Sequence, residues 1–179
     1  LQESVDDFDP ERMMVKTNKG RELTAKKILI ASGGRPKLWR FETLLPENTF
    51  RLHTLDDALR IKKFLSEHRG DRALVVGGGF ITLELVEILA RFGWKIKLLC
   101  VEKSFWSEYL DEQGFSILLD IWQKNGVELS FGDEIADIES IQPGRLDREA
   151  RIITRNGARL SVDFIGVGIG LERSFDAEV

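Results

Sequence analysis

The sequence predicts an α/β protein built on a central parallel sheet, with helices on both faces and an antiparallel β meander. Three observations predict it. The apolar run Ala73-Leu74-Val75-Val76 leads straight into Gly77-Gly78-Gly79 and then into an amphipathic stretch, which reads as strand, turn, helix. A second β-rich run, Lys95 to Val101, follows and completes a strand–helix–strand unit of roughly 30 residues. Further on, short alternating runs are punctuated by Pro143-Gly144 and Asn156-Gly157, the turn chemistry of antiparallel strands.

Taken in order, Met13 to Thr17, a turn at Asn18-Lys19-Gly20, and Glu22-Leu23-Thr24 predict a short hairpin. The β-branched run Lys27 to Ala31, closed by Ser32-Gly33-Gly34-Arg35-Pro36, predicts a buried strand ending in a tight loop. From Pro36 to Pro46 the pattern is irregular, with Trp39 and Phe41 as anchors, and a domain boundary is expected near Pro46. Thr54 is the expected N-cap of a helix that carries Leu55, Ala58, Leu59, Ile61, Phe64 and Leu65 at helical spacing. Asp56 and Asp57 fall in its first turn, where the helix dipole favours anions. The helix after the glycines should run from Phe80 to Phe92, with Ile81, Leu85, Ile88 and Leu89 on one face and Gly93 ending it. A third helix is expected from about Asp111 to Asn125. After it come a strand at Val127–Phe131, the meander (Ile135–Ile141, Ala150–Thr154, Arg159–Val162) and a last strand at Asp163–Val167.

Composition removes several function classes. With 179 residues and 42% hydrophobic content the chain can bury one good-sized core or two small ones. A formal net charge of −4 gives no electrostatic footprint for nucleic acid. The longest apolar run, Ala73 to Ala90, is interrupted by Glu84 and Glu87 and carries the three glycines, so no membrane span is expected. The single cysteine, Cys100, excludes an internal disulfide or a Cys-x-x-Cys site and fits a reducing, cytoplasmic setting. The chain opens on Leu1-Gln2-Glu3 and closes on Glu178-Val179 just after an apolar segment, which reads as a piece of a longer protein.

The chemistry centres on the glycine turn. Binding a pyrophosphate needs backbone N–H groups aimed at it with no side chain in the way, and glycine meets both conditions. Gly77 permits the tight turn, Gly78 continues it, and Gly79 lets the backbone approach the phosphates. The helix beginning at Phe80 and Ile81 points its positive end at them. Glu102 lies 20 residues after Thr82, about where an acidic residue accepts the adenine ribose hydroxyls of a Rossmann-like dinucleotide site. Glu102 without an arginine pair beside it favours NAD(H) over NADP(H), with Lys103 as the one neighbour able to serve a 2′-phosphate.

Four stretches resemble the two-dinucleotide flavoprotein reductases, the pyridine nucleotide-disulfide oxidoreductase superfamily. Lys27 to Pro36 resembles their Ala-Thr-Gly segment, Leu52 to Ala58 the helix start before their NAD domain, Val75 to Ile81 their second glycine motif, and Asp163 to Gly170 the return into their FAD domain. Leu99 to Lys103 resembles the apoptosis-inducing-factor-like and ferredoxin- or rubredoxin-reductase-like branches. The resemblance implies that residues 1–45 are the last part of a first FAD-domain segment, 46–165 the NAD(P)-binding domain, and 166–179 the return into an incomplete FAD domain. It implies hydride transfer from nicotinamide to FAD in the full-length parent, with this chain binding rather than catalysing. Partners are then the nicotinamide dinucleotide, the remainder of the FAD domain and a second copy of the chain as a candidate homodimer. Glu84 matches the glutamate that in relatives lies near the nicotinamide, and Gly168 falls in the return motif.

The sequence also departs from that pattern. Thr82 stands where the family places glycine or alanine, and its branched side chain should push the helix outward. Cys100 stands where NAD-preferring relatives often carry glutamate, and Leu171-Glu172-Arg173 replaces a frequent Pro-Asn. A competing reading is a nucleotide-free Rossmann scaffold that serves as a protein-interaction module. A short-chain dehydrogenase is disfavoured, because the only tyrosine, Tyr109, has Gln113 four residues on rather than lysine. Plain readings stand beside the functional ones: Glu84 as a solvated helix residue, Glu102 as a surface charge, Cys100 as buried apolar packing, His53 and His68 as surface or cap residues, and Phe105, Trp106 and Tyr109 as packing. No metal site and no catalytic residue is expected in this chain.

Overall fold

The computed structural model describes residues 2–68, 72–104, 106, 109–139 and 149–173. The chain divides into two compact units, residues 1–35 with 172–179, and residues 36–171. In the smaller unit, β1 (Val5–Asp9), β2 (Met14–Thr17) and β3 (Glu22–Thr24) form an antiparallel sheet in that order, and β4 (Gly34–Pro36) leads out of it. The β2–β3 hairpin is the one expected, with Gly20 at φ 76° in its turn. Lys27–Ala31 is not a strand. Leu29 is 90% exposed and Ile30 45%, since a β-branched run becomes a buried strand only where a neighbouring strand and a core receive it. The strand β1 carries three aspartates in five residues, and its pairing comes from Phe8 opposite Val15 rather than from propensity.

The larger unit contains, in chain order, β5 (Thr49–Phe50), α1 (Leu55–Glu67), β6 (Arg72–Val76), α2 (Phe80–Arg91), β7 (Lys95–Cys100), α3 (Glu112–Lys124), β8 (Val127–Phe131), β9 (Ile135–Glu139), β10 (Ala150–Thr154), β11 (Arg159–Val162) and β12 (Phe164–Val167). A parallel sheet runs β5-β12-β6-β7-β8, and a separate antiparallel sheet runs β11-β10-β9. The strand β13 (Leu171–Arg173) then pairs with β4. The proposed turn at Pro143-Gly144 lies outside the described residues.

Period-two alternation along the parallel strands decides the layering. Ala73, Val75, Ile96, Leu98 and Phe164 face one core, which also receives Ile61, Phe64 and Leu65 of α1, Leu85, Val86 and Leu89 of α2, and Trp122 of α3. Phe50, Phe64, Trp94 and Phe164 form an aromatic cluster there, with the Phe50 and Phe164 rings stacked at 4.3 Å. Leu74, Val76, Leu99, Ile165 and Val167 face the opposite core, which is closed by Trp39, Phe41, Leu45 and the meander residues Ile135, Ile138, Ala150, Ile152 and Val162. The α/β class, the parallel sheet and the meander are those expected. The difference lies in the layers: among the described residues all three helices serve one face, and the meander, whose own apolar side also needs cover, takes the other.

Helix ends follow local chemistry. Thr54 and Asp57 make a reciprocal capping box on α1: the Asp57 N–H donates to Thr54 Oγ1 at 3.2 Å, and the Thr54 N–H to Asp57 Oδ2 at 2.8 Å. Asp111 Oδ1 caps α3 by accepting from the Gly114 N–H at 2.8 Å. The buried face of α2 is Thr82, Leu85, Val86 and Leu89, rotated from the expected stripe, so Ile81 and Ile88 sit at its margins. No helix among the described residues is long and apolar enough to cross a membrane.

Candidate functional site

The strand β6 delivers the chain into the glycine turn, and the hydrogen-bond ladders of both neighbouring strands continue past it. The Gly77 N–H donates to Leu99 O at 3.0 Å, and the Gly168 N–H donates to Val76 O at 2.8 Å. Gly77 takes φ +125°, and a Cβ on it would sit 2.3 Å from Gly168 O, so this glycine serves the fold itself. Gly79 is different in kind. Its φ is −105°, open to any residue, and a Cβ there would meet nothing nearer than Gly168 O at 4.0 Å. Among the described residues none fills the space in front of the Gly79 Cα.

The start of α2 matches that opening. Its N-cap is Gly79, no side chain caps it and no acid lies in its first turn, in contrast to the capped starts of α1 and α3. The positive end of its dipole is therefore not matched by any side chain of its own first turn. Thr82, expected as a wedge, is fully buried, and its hydroxyl donates to Gly168 O at 3.3 Å. Room for the branched side chain comes from Gly168, where a Cβ would lie 2.6 Å from Thr82 Oγ1.

Two residues past β7, Glu102 is anchored through both backbone and side chain. Its carbonyl accepts from the Gly132 N–H at 3.0 Å, while the Cys100 carbonyl accepts from the Asp133 N–H at 3.2 Å. Its Oε2 accepts from the Cys100 thiol at 2.8 Å, and a Cβ on Gly78 would lie 3.1 Å from the same oxygen. The carboxylate thus lies against the middle glycine of the turn, although the residue is exposed. Burial of Cys100, together with the Glu102 carboxylate, pushes the thiol up to about 12, so it remains protonated and donating at neutral pH. Asp133 is itself buried. Desolvation alone would raise its carboxyl, but bonds from the Thr154 hydroxyl and from the Asn156 and Glu134 N–H groups outweigh it and hold the group below the ordinary carboxylate range.

The remaining expected residues are distributed as follows. Phe80 is 64% exposed at the first position of α2, its ring 4.4 Å from that of Trp106. Ile81 is partly buried against the helix-side core. Glu84 is exposed one turn after Phe80, on the same side of the helix. Lys103 is exposed beside Glu102, and Gly168 is buried, its backbone groups engaged by Val76 and Thr82. His68 caps the end of α1 and stacks on Phe64 at 4.4 Å, while His53 is exposed and its backbone N–H donates to Asp57. Tyr109, expected to pack, is 73% exposed, and Phe105 lies outside the described residues. Sequence reasoning missed the Thr82 hydroxyl bond and the Cys100–Glu102 contact. The second had a signal, because residues i and i+2 at a strand end share a side of the chain.

A parallel sheet with a glycine turn at a strand end, an uncapped helix start and a carboxylate just past the next strand is the arrangement of the Rossmann-like α/β class. The chain belongs to the pyridine nucleotide-disulphide oxidoreductase family, whose model matches residues 1–177. Among curated proteins it is 30% identical to terpredoxin reductase from Pseudomonas sp over 175 residues, covering 96% of this chain and 41% of that protein. It is 26% identical to apoptosis-inducing factor 3 from Mus musculus over 151 residues, covering 84% of this chain and 24% of that one. The chain thus spans about two-fifths or less of the length of these relatives. Among solved structures, the covalent putidaredoxin reductase–putidaredoxin complex superposes with TM-score 0.76 at 24% identity, over 94% of this chain and 40% of that one. An engineered water-forming NADPH oxidase bound to NADPH gives TM-score 0.72 at 18% identity, over 97% and 38%. Both likenesses carry the fold.

Proposed function

We propose that residues 46–165 are the NAD(H)-binding domain of a FAD-dependent oxidoreductase, flanked by FAD-domain segments at 1–45 and 166–179. The observation that carries this reading is the contrast within the turn, where Gly77 is filled by the protein's own backbone and Gly79 faces open space before an uncapped helix. A dinucleotide pyrophosphate fits that opening, because an anion there meets N–H groups and a dipole and displaces no side chain. Glu102 takes the adenine ribose hydroxyls and disfavours a 2′-phosphate by charge, with Lys103 next to it in the chain as a counterweight. Phe80, Ile81 and Glu84 shape the start of α2 toward the nicotinamide end, and Gly168 braces the turn from behind.

When bound, the nicotinamide supplies the hydride that a flavin accepts; the protein's share is to hold and orient the dinucleotide. The test is calorimetric titration of NADH, and separately NADPH, with Gly79→Val as control. Saturable binding with NADH preferred, lost in the variant, supports the assignment. Absence of binding at millimolar nucleotide overturns it and favours the scaffold reading, and a variant that still binds overturns the assignment of the phosphates to the glycine turn.

A further inference from the structure

The Cys100 side chain performs no task in the site described so far, yet it is fully buried with its sulfur 2.8 Å from Glu102 Oε2. We propose that Cys100 is a positioning residue for cofactor choice: its thiol holds the Glu102 carboxylate over Gly78, in the orientation that accepts a ribose diol and rejects a 2′-phosphate. This rests on the dinucleotide reading above.

A glutamate beyond a strand end has three side-chain torsions to lose when it meets a ligand, and ordering it beforehand removes that cost from binding. Cys100 ends β7 and Glu102 lies two residues on, where the chain bends; the bonds from the Asp133 N–H to the Cys100 carbonyl and from the Gly132 N–H to the Glu102 carbonyl fix that segment. The thiol then fixes the carboxylate. A thiol is a weak donor and occupies one of about four lone-pair sites on the carboxylate, leaving the others for two ribose hydroxyls. Because burial keeps the thiol protonated, it never becomes a competing anion beside Glu102. A 2′-phosphate has no hydroxyl to offer these sites, and its charge meets a carboxylate that is held in place and cannot swing away.

Dissociation constants for NADH and NADPH would be measured calorimetrically on the protein and on Cys100→Ala, Cys100→Ser, Glu102→Ala and the Cys100→Ala/Glu102→Ala double variant. Melting curves would confirm folding, and Cys100→Val would replace the alanine variant if that one does not fold. The expected result is NADH binding weakened about two- to tenfold in Cys100→Ala, the worth of one hydrogen bond, with NADPH changed less. Serine, which keeps a donor, restores the NADH preference, and Cys100→Ala adds nothing once Glu102 is alanine, which has no acceptor for the thiol. An unchanged NADH/NADPH ratio in Cys100→Ala, or an effect of Cys100→Ala that persists in the Glu102→Ala background, overturns the proposal while leaving the dinucleotide assignment standing. Failure of the unmodified protein to bind either nucleotide overturns both.

Discussion

Replacing Gly77 by alanine tests the turn where its geometry is tightest. The new Cβ would lie 2.3 Å from Gly168 O and 2.7 Å from Gly168 C, both backbone atoms, and 3.0 Å from Thr82 Oγ1. None of these can rotate away as a flexible side chain would, apart from the threonine hydroxyl. The residue would also have to hold φ +125°, a strain of roughly 1–3 kcal/mol for a non-glycine, and relief of the clash costs a further 1–3 kcal/mol or so. The sum, roughly 2–6 kcal/mol, is a large part of the stability of an ordinary domain. At about 2–4 °C per kcal/mol for a chain of this size, the melting temperature should fall by at least roughly 4 °C in far-UV circular dichroism. Gly79→Val is the internal comparison: its φ is unstrained and its Cβ meets open space, so only the poorer N-cap counts, at most about 1 kcal/mol. Gly77→Ala should therefore lose stability, and Gly79→Val should lose nucleotide binding with its stability nearly intact. A Gly77→Ala protein that melts with the parent would refute the close approach of Gly168, and with it the argument that separates the two glycines.

Phe164→Ala should cost about 3–5 kcal/mol in denaturant unfolding, because the ring is fully buried and stacked on Phe50, and a loss below about 1 kcal/mol would show that the aromatic cluster collapses to fill the gap. Asp133→Asn should destabilise the meander side by roughly 1–3 kcal/mol at neutral pH. Since the folded carboxyl is held below its unfolded value, the stabilisation is present above the unfolded value and disappears as pH falls through the folded one. The gap between the parent and Asp133→Asn should accordingly close in strong acid, and a gap independent of pH would remove the carboxylate from the account. Glu102→Arg should shift nucleotide preference toward NADPH in paired titrations, and an unchanged ratio would take Glu102 out of the ribose site.

The strand–helix–strand core of the larger unit was legible because apolar runs, glycines and caps all agree there. Ala73–Val76 is buried on both faces as a parallel strand must be, and Thr54 is the N-cap expected ahead of the helical spacing. Lys27–Ala31 misled for the complementary reason: propensity describes what a segment prefers when a sheet accepts it, and no strand among the described residues pairs with it. The single helix layer was hidden because a strand's alternation shows that both faces are buried without showing what covers each. At the site, the glycine run and the spacing to Glu102 stood in the sequence, and the i, i+2 spacing of Cys100 and Glu102 was a signal left unused, but the partner of Thr82 was not readable. Gly168 is 86 positions from Thr82, and nothing local announces such a contact. The Cys100 thiol reads as apolar until a carboxylate stands beside it.

The meeting of Thr82 with Gly168 also limits how these two positions can drift. Loss of the threonine side chain would leave a small void and an unbonded carbonyl, changes a protein can absorb. Growth at position 168 would meet the Thr82 hydroxyl at 2.6 Å, and behind it the Thr82 backbone nitrogen at 3.0 Å, which no substitution at 82 removes. The traffic is one-way: residue 82 is free to shrink toward alanine or glycine, while residue 168 is held at glycine whichever neighbour it faces. An attempt to repack the base of α2 should begin at 82 and leave 168 alone.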